Sequence, residues 1–410
     1  MKKISIIVAI CALIILIFGS IVFVFQTEEE YVEDEKLSES DSVNDFSENN
    51  EEEDEGSLEQ KNELEEEDEI EEKVEVTSAT IAGVGDVLIH RSLYYDAYVE
   101  GEYNFKPMLE NTKPYISQAD IGFANQETML GGVELGLSDY PLFNSPTEVG
   151  DALQYIGIDV VSIANNHTLD VGEQGVLNAI DYYDSVGMVY TGGYRSAEDR
   201  LEIRTIEANG IIFSFLAYSY GTNGIPVPDG KEYLVNLIDR EQINEDIIAA
   251  KEVSDVVVLS LHFGNEYEPM PNENQKSLAN EFAQTGADII FGHHPHVLQP
   301  MEWIEQEDGR RTFVAYSLGN FISGQEGVER EIGGIAQLEV KKTTKGEEVT
   351  IELGDPRFVP VFTYKHNWRN YKLHILEDIG DDVLMNAQQH YENTKEHVAQ
   401  WMPELRFDFD

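Results

Sequence analysis

The chain has 410 residues, 79 of them Asp or Glu and 27 Lys or Arg, for a formal charge of −52 at pH 7. This balance excludes a general binder of nucleic-acid backbones, which the chain would repel outside a local basic patch. The single cysteine, Cys11, excludes an intramolecular disulfide and any cysteine-built metal centre, so a metal would have to be held by nitrogen and oxygen.

Residues 4 to 25 carry no charge and follow Lys2 and Lys3. A helix of that length spans roughly 33 Å, enough for a bilayer core. The segment predicts an uncleaved transmembrane anchor over residues 1–26. A cleaved signal peptide is the competing reading, against which stand the length of the run and the lack of a small-x-small site before Gln26. Bulky Ile10 before Cys11 argues against a lipoprotein signal. With the lysines on the short side, the rest of the chain is expected outside the cytoplasm, as a single-pass protein of the cell membrane with a cytoplasmic N-terminus.

Residues 27 to 76 hold 25 acidic residues and three lysines. Such a segment buries too little apolar surface to offset its ordering entropy, and its like charges extend it, so residues 27–78 are expected to be a disordered acidic linker. Residues 77 to 410 remain acidic, at −32.

From residue 79 the composition turns to short β-branched runs: TIAGVGDV (80 to 87), IGFAN (121 to 125), IDVVSIAN (158 to 165), IIFSFLAYS (211 to 219), DVVVLSLHF (255 to 263), ADIIFGH (287 to 293) and RTFVAYS (311 to 317). Between several of them lie stretches with an apolar residue every three or four positions, at 146–157, 172–187, 240–253 and 273–286. The alternation predicts an α/β domain over 79–365 whose central strands are buried on both faces. Runs at 332–342, 348–354 and 357–364 follow without intervening helices, so the end of the domain should be antiparallel. Residues 366–410 are expected to form a peripheral helical tail.

In open α/β sheets ligands bind beyond the carboxyl ends of strands. The polar residues standing there are Asp86 and His90, Asn125 and Glu127, Asn165, Asn166 and His167, His262 and Glu266, His293, His294 and His296, and Asn320. Any one of them reads equally well as a cap or turn former. Six successive exits furnished with Asp, Glu, Asn and His in their key places are harder to attribute to capping. These are ligand types for zinc, manganese or iron, numerous enough for two ions sharing a carboxylate. Two ions would activate water for attack on a phosphoryl or carbonyl centre.

The motifs GVGDVLIH, ANQET, SIANNHTLD, LHFGNEY, GHHPHVLQP and SLGNF, in this order over residues 80 to 321, resemble the CapA family of capsule and poly-gamma-glutamate synthesis proteins, whose domain looks like a calcineurin-type metallophosphoesterase. The resemblance implies a four-layer αββα sandwich of two mixed sheets with a dinuclear site at the strand exits. By the same resemblance Asp86, Asn166, His262, His294 and His296 are metal ligands and Glu127 is the bridging carboxylate. His167 protonates a leaving oxygen. His90 stands in for the histidine of the superfamily's Asp-x-His, although three residues separate it from Asp86. Asn125, Asn165, Glu266, His293 and Asn320 are candidates for the surroundings of the metals. The implied function is a membrane-anchored role in the synthesis, export or attachment of an anionic polymer such as poly-gamma-glutamate, alongside other membrane subunits of a synthase complex. A non-catalytic polymer-binding or scaffold subunit and a general extracytoplasmic metallophosphatase are the alternatives.

Overall fold

The computed structural model describes residues 73–408. The expected anchor and most of the expected linker lie outside the described residues. Among the described residues no helix is long and apolar enough to cross a membrane. The first strand begins at Val74, so residues 74–78, which the sequence assigned to the linker, are strand instead. They pair antiparallel with residues 341–345, which satisfies their backbone groups despite the polar side chains.

In chain order the strands are β1 (Val74–Leu88), the short β2 (Tyr98–Val99) and β3 (Glu102–Tyr103), β4 (Ile121–Asn125), β5 (Val160–Ser162), β6 (Val189–Thr191), β7 (Arg204–Ala208) and β8 (Ile211–Ser219). They continue as β9 (Val256–His262), β10 (Ile289–His293), β11 (Met301–Glu305), β12 (Arg311–Ala315), β13 (Asn320–Ser323), β14 (Ile332–Lys345), β15 (Glu348–His366) and β16 (Arg369–Ile375). The longer helices are α1 (Arg91–Ala97), α2 (Glu148–Ile156), α3 (Gly172–Val186), α4 (Arg240–Lys251), α5 (Glu273–Thr285) and α6 (Ala387–Val398). Helices α2 and α3 stop at Gly157 and Gly187, both left-handed.

Two mixed sheets result. One runs β16-β15-β14-β1-β4-β5-β6 with β13 beside β1, and the other runs β11-β12-β10-β9-β8-β7. Strands β1, β4, β5 and β6 are parallel in the first sheet and β8, β9, β10 and β12 in the second. The antiparallel ending anticipated from the sequence is β14-β15-β16. The tail is a correction: it opens with β16, a full member of the first sheet, and its helix α6 is not peripheral. Tyr391, Val398, Met402 and Leu405 bury against the core that also holds Phe358 and Phe362. The helical spacing in residues 387–398 was legible, but the seven-residue strand ahead of it carries three charged or polar residues among RNYK and shows no run of apolar ones.

The parallel strands start level because of a repeated device. An aspartate stands at the entry to four strands, as Asp120, Asp159, Asp255 and Asp288. Each backbone N–H donates to a carbonyl of the neighbouring strand, at Thr80, Gly122, Ile212 and Val257 (2.8 to 3.0 Å). Each carboxylate accepts that same residue's N–H in return (2.8, 2.9, 2.9 and 2.8 Å). Reciprocal clamps of this kind set the register at the entry edge, and the strand ends, three to seven residues on, are aligned as a result.

Three apolar clusters divide the molecule into layers. Phe123 of the first sheet stacks on Phe215 and Phe291 of the second, with ring centroids 6.2 and 5.6 Å apart, in the core between the sheets. On the outer face of the first sheet Leu93, Leu153, Val176 and Ile180 bring in α1, α2 and α3. On the outer face of the second, Ile243, Ile247, Leu278 and Phe282 bring in α4 and α5. The order is helix, sheet, sheet, helix, with apolar cores in all three interfaces.

Candidate metal centre

Each functional side chain hangs from the exit of a strand. Asp86 is three residues from the end of β1, Asn125 ends β4, His262 ends β9 and His293 ends β10. Two glycines let these exits crowd together. A Cβ on Gly85 would lie 2.0 Å from the Gly319 carbonyl oxygen, and one on Gly292 would lie 2.0 Å from that of Tyr316. Only glycine allows the backbones to approach this closely. The Asp86 N–H donates to that same Gly319 oxygen (2.9 Å), which ties β1 to the loop before Asn320.

The structure brings Asp86, Glu127, Asn166, His262, His294 and His296 into one buried cluster, none more than 4 % exposed. The Glu127, His294 and His296 ligand atoms lie within 4.8 Å of one another. His296 Nε2 is 3.6 Å and His262 Nε2 3.7 Å from Glu127 Oε1. His262 Nε2 is also 2.8 Å from Asn166 Oδ1. Asp86 is more heavily engaged than its neighbours. Its Oδ1 accepts Asn125 Nδ2–H (2.8 Å), and its Oδ2 takes the His294 backbone N–H (3.3 Å) and faces His296 Nδ1 (3.1 Å). His294 and His296 sit at φ 96° and 59°, a region non-glycine residues enter at a cost of about 1–3 kcal/mol and keep only where surrounding contacts over-determine it.

Of the remaining candidates, Asn320 Oδ1 faces His296 Nδ1 (3.0 Å) and Asn165 holds its own loop, accepting His167 N–H (2.9 Å) and donating to the Gln126 carbonyl (3.0 Å). His293 Nδ1 is 3.4 Å from Asp86 Oδ1, and its ring lies over Phe123 (6.2 Å) at the top of the inter-sheet core. Glu266 is exposed. His90 is not brought to the cluster's ligand atoms. Its Nδ1 lies 3.1 Å from the Leu88 carbonyl and from the Gly324 N–H, and its ring meets the edge of Phe143.

The electrostatics say what the cluster lacks. Burial pushes the Glu127 carboxyl well above the usual carboxylate range, with Asp86 adding to the shift and His296 only partly offsetting it. Neither Glu127 oxygen has a hydrogen-bond partner. Burial likewise lowers His262, and it lowers His294 to about 3, so both rings present neutral nitrogen. Burial also opposes charge on His296, but the Glu127 and Asp86 carboxylates outweigh it and hold this ring up at about 9. Asp86 is held well below its ordinary value: burial works against this, and His293 and His296 overcome it. A buried carboxylate without a donor is costly unless a cation meets it. The donor set of carboxylate, amide oxygen and imidazole fits a divalent ion, and Glu127, His294, His296, His262 and Asn166 are the residues placed to hold one.

His167 stands beside this cluster with Nδ1 2.7 Å from Asp170 Oδ2, and its ring meets the edge of Phe143 at 4.8 Å. Asp170 Oδ2 also accepts the Phe143 N–H (2.7 Å). Sequence reasoning missed Asp170, although SIANNHTLD places it three residues after His167, the separation at which a turn returns one side chain to another. It also missed Asn223, which takes Asn166 Nδ2–H (3.2 Å), and Tyr220, whose ring lies 4.5 Å from that of His294. Both follow β8 in a stretch without a ligand-type motif, and only the fold carries them to the site.

Two facing mixed sheets whose exits gather a buried histidine–carboxylate cluster define an α/β protein with a donor set that fits a divalent ion. Residues 80–325 match the family described as bacterial capsule synthesis protein PGA_cap, and the chain belongs to that family. It is 32 % identical over 303 residues to the PGA biosynthesis protein CapA of Bacillus subtilis, covering 70 % of this chain and 74 % of that one. It is 26 % identical over 270 residues to the capsule biosynthesis protein CapA of Bacillus anthracis, covering 64 % of each. Among solved structures it is similar to the NAD nucleotidase of Haemophilus influenzae, at 12 % identity and a TM-score of 0.43, covering 81 % of this chain and 57 % of that one.

Proposed function

We propose that the chain works in the synthesis, export or attachment of a capsule polymer of the poly-gamma-glutamate type, and that its strand-exit cluster is a metallophosphoesterase-like hydrolase centre acting on a phosphoester or amide. In this reading the apolar N-terminal segment anchors the protein in the membrane beside other synthase subunits, the acidic segment spaces it outward, and the α/β domain works outside the cytoplasm. The roles of the relatives in PGA and capsule biosynthesis support the context. The observation that carries the chemistry is Glu127, fully buried, with both oxygens unpartnered among histidine nitrogens.

Divalent metal held by Glu127, His294, His296, His262 and Asn166 would supply Lewis-acid activation of water and charge neutralisation at the reacting centre. The chain's own residues do the rest. Asp86, through its contact with His296 Nδ1, orients that ring so that Nε2 points at Glu127. Asp170 accepts from His167 Nδ1–H and so leaves Nε2 to carry the proton delivered to a leaving oxygen. Phe143 packs edge-on against His167 and keeps bulk water from one side of it. Tyr220 packs its ring against His294 and His262.

The test is metal content by elemental analysis and turnover of a phosphodiester and of poly-gamma-glutamate by the full chain, with His294→Ala and His167→Ala alongside. The expected result is bound metal and turnover in the parent, loss of metal in His294→Ala, and loss of rate with metal retained in His167→Ala. A parent inert with added zinc, manganese and iron overturns the hydrolase and leaves a polymer-binding or scaffold subunit.

A further inference from the structure

A cavity of 430 Å³ opens beside the acid side of the cluster, lined among others by His90, Arg91, Tyr95, Asp139, Trp368 and Arg369. It is joined to the site by rings: His167 meets Phe143 at 4.8 Å, and Phe143 meets His90 at 5.1 Å.

Its walls come from two places far apart in sequence. Helix α1 gives Arg91 and Tyr95, and the turn between β15 and β16 gives Trp368 and Arg369. The two are lashed together: Ser92 Oγ and Tyr371 Oη are 2.6 Å apart, and Asp96 Oδ2 accepts the Tyr371 N–H (2.8 Å). The two-residue turn holds Asn367 and Trp368 at φ 51° and 59°, the geometry a tight hairpin loop requires, and it presents the tryptophan to solvent. Trp368 is 45 % and Tyr95 55 % exposed.

The charge here runs against the rest of the molecule. A chain at −52 repels a polyanion, and close contact with one requires local cations. Arg369 spends one N–H on the Tyr95 carbonyl (2.8 Å) and keeps the remainder of its fork. Arg91 hydrogen-bonds Tyr94 and is 3.9 Å from Asp139, with more than half its side chain in solvent. A guanidinium fork matches a carboxylate, and exposed aromatic faces suit the methylene stems that carry one. Asn367, Trp368 and Arg369 also lie beyond residues 80–325, so one wall of this cavity is built by a part of the chain that the family match does not include.

We infer that the cavity between α1 and the β15–β16 turn is a subsite for a carboxylate-bearing chain, gripping it through Arg91, Arg369 and Trp368. The inference rests on the polymer reading above and assigns where that polymer lies.

The experiment is titration of the full chain with a γ-linked glutamate oligomer, followed by calorimetry and by tryptophan fluorescence. The expected result is saturable binding weakened by salt, a fluorescence change lost in Trp368→Phe, and affinity lowered about tenfold or more in the Arg91→Glu/Arg369→Glu pair. Bound metal and melting temperature serve as the fold controls, and the Arg91→Gln/Arg369→Gln pair replaces the reversal if it melts early. An oligomer that binds parent and double variant alike overturns the subsite and leaves the hydrolase standing. A parent that neither binds nor turns over the oligomer overturns both.

Discussion

His296 stands between two carboxylates, with Nδ1 3.1 Å from Asp86 Oδ2 and Nε2 3.6 Å from Glu127 Oε1. The Asp86 side fixes a proton on Nδ1, so Nε2 is the nitrogen that would give up its proton to a cation held with Glu127. Replacing Asp86 by Asn removes the negative partner and keeps the shape. The expected outcome is metal affinity about 10- to 100-fold weaker, read by competition with a chromophoric chelator, and equal affinity in parent and variant would show that Asp86 neither holds nor orients the metal.

The approach of Gly292 to Tyr316 gives a second prediction. Gly292→Ala puts a methyl where the Tyr316 carbonyl oxygen already stands, so β10 has to move away from β12's exit just before the three histidines. Overpacking of this kind costs about 1–3 kcal/mol, and the urea midpoint should fall accordingly. Because His293, His294 and His296 follow at once, bound metal should fall in the same variant. Full metal content at reduced stability would mean the strand exit and the histidine turn are mechanically independent.

Much of this was legible before any coordinates. The buried strands announce themselves as β-branched runs, and residues such as Glu127 and His296 stand directly at their exits, so strand periodicity and a residue's place in it were enough to collect the cluster. What escaped is what sequence distance hides. Asn223 reaches Asn166 across 57 positions, and Tyr371 reaches Asp96 across 275, and neither sits in a run with a period to read. His90 went the other way: its type and position resembled a ligand, but the turn after β1 points Nδ1 at backbone groups of Leu88 and Gly324. The boundary at Val74 escaped because VEVTS carries alternating polar residues that are tolerated in a strand only once β14 lies beside it.

The strand-entry aspartates give a prediction in pH. Burial raises Asp159 and Asp288 above the ordinary carboxylate value, and the backbone N–H groups they accept only partly counter it. A carboxyl whose folded pKa is raised binds its proton more tightly when folded. Its contribution to stability is therefore complete below the unfolded value of about 4 and is lost as pH rises through the folded one. Asp288→Asn keeps an acceptor for the Val257 N–H and cannot ionise. The stability of the variant relative to the parent should grow from pH 4 toward neutrality, by at most about 1.4 kcal/mol per pH unit, in urea titrations across that range. A difference that stays constant with pH would mean that Asp288 titrates at its ordinary value.

Asp170 offers the sharpest separation of holding a metal from using it. Its Oδ2 is 2.7 Å from His167 Nδ1 and 2.7 Å from the Phe143 N–H, so it sets both the tautomer of the ring and the position of the aromatic edge packed against it. It is absent from the Glu127, His294 and His296 cluster, so Asp170→Asn should leave bound metal at the parent level. Asparagine offers one acceptor oxygen and a competing amide donor at the same place, and His167 loses the carboxylate that fixes Nδ1–H and stabilises the charged ring. Under the hydrolase reading kcat falls roughly 10- to 1,000-fold, because an amide donating to Nδ1 makes that nitrogen an acceptor and disfavours the doubly protonated ring that delivers the Nε2 proton. The loss should be largest for substrates with poor leaving groups and small for an activated aryl phosphodiester, whose departing oxygen needs little protonation. An equal loss for both substrates would assign Asp170 to the architecture of the loop, and unchanged kcat for both would remove His167 from the chemistry altogether.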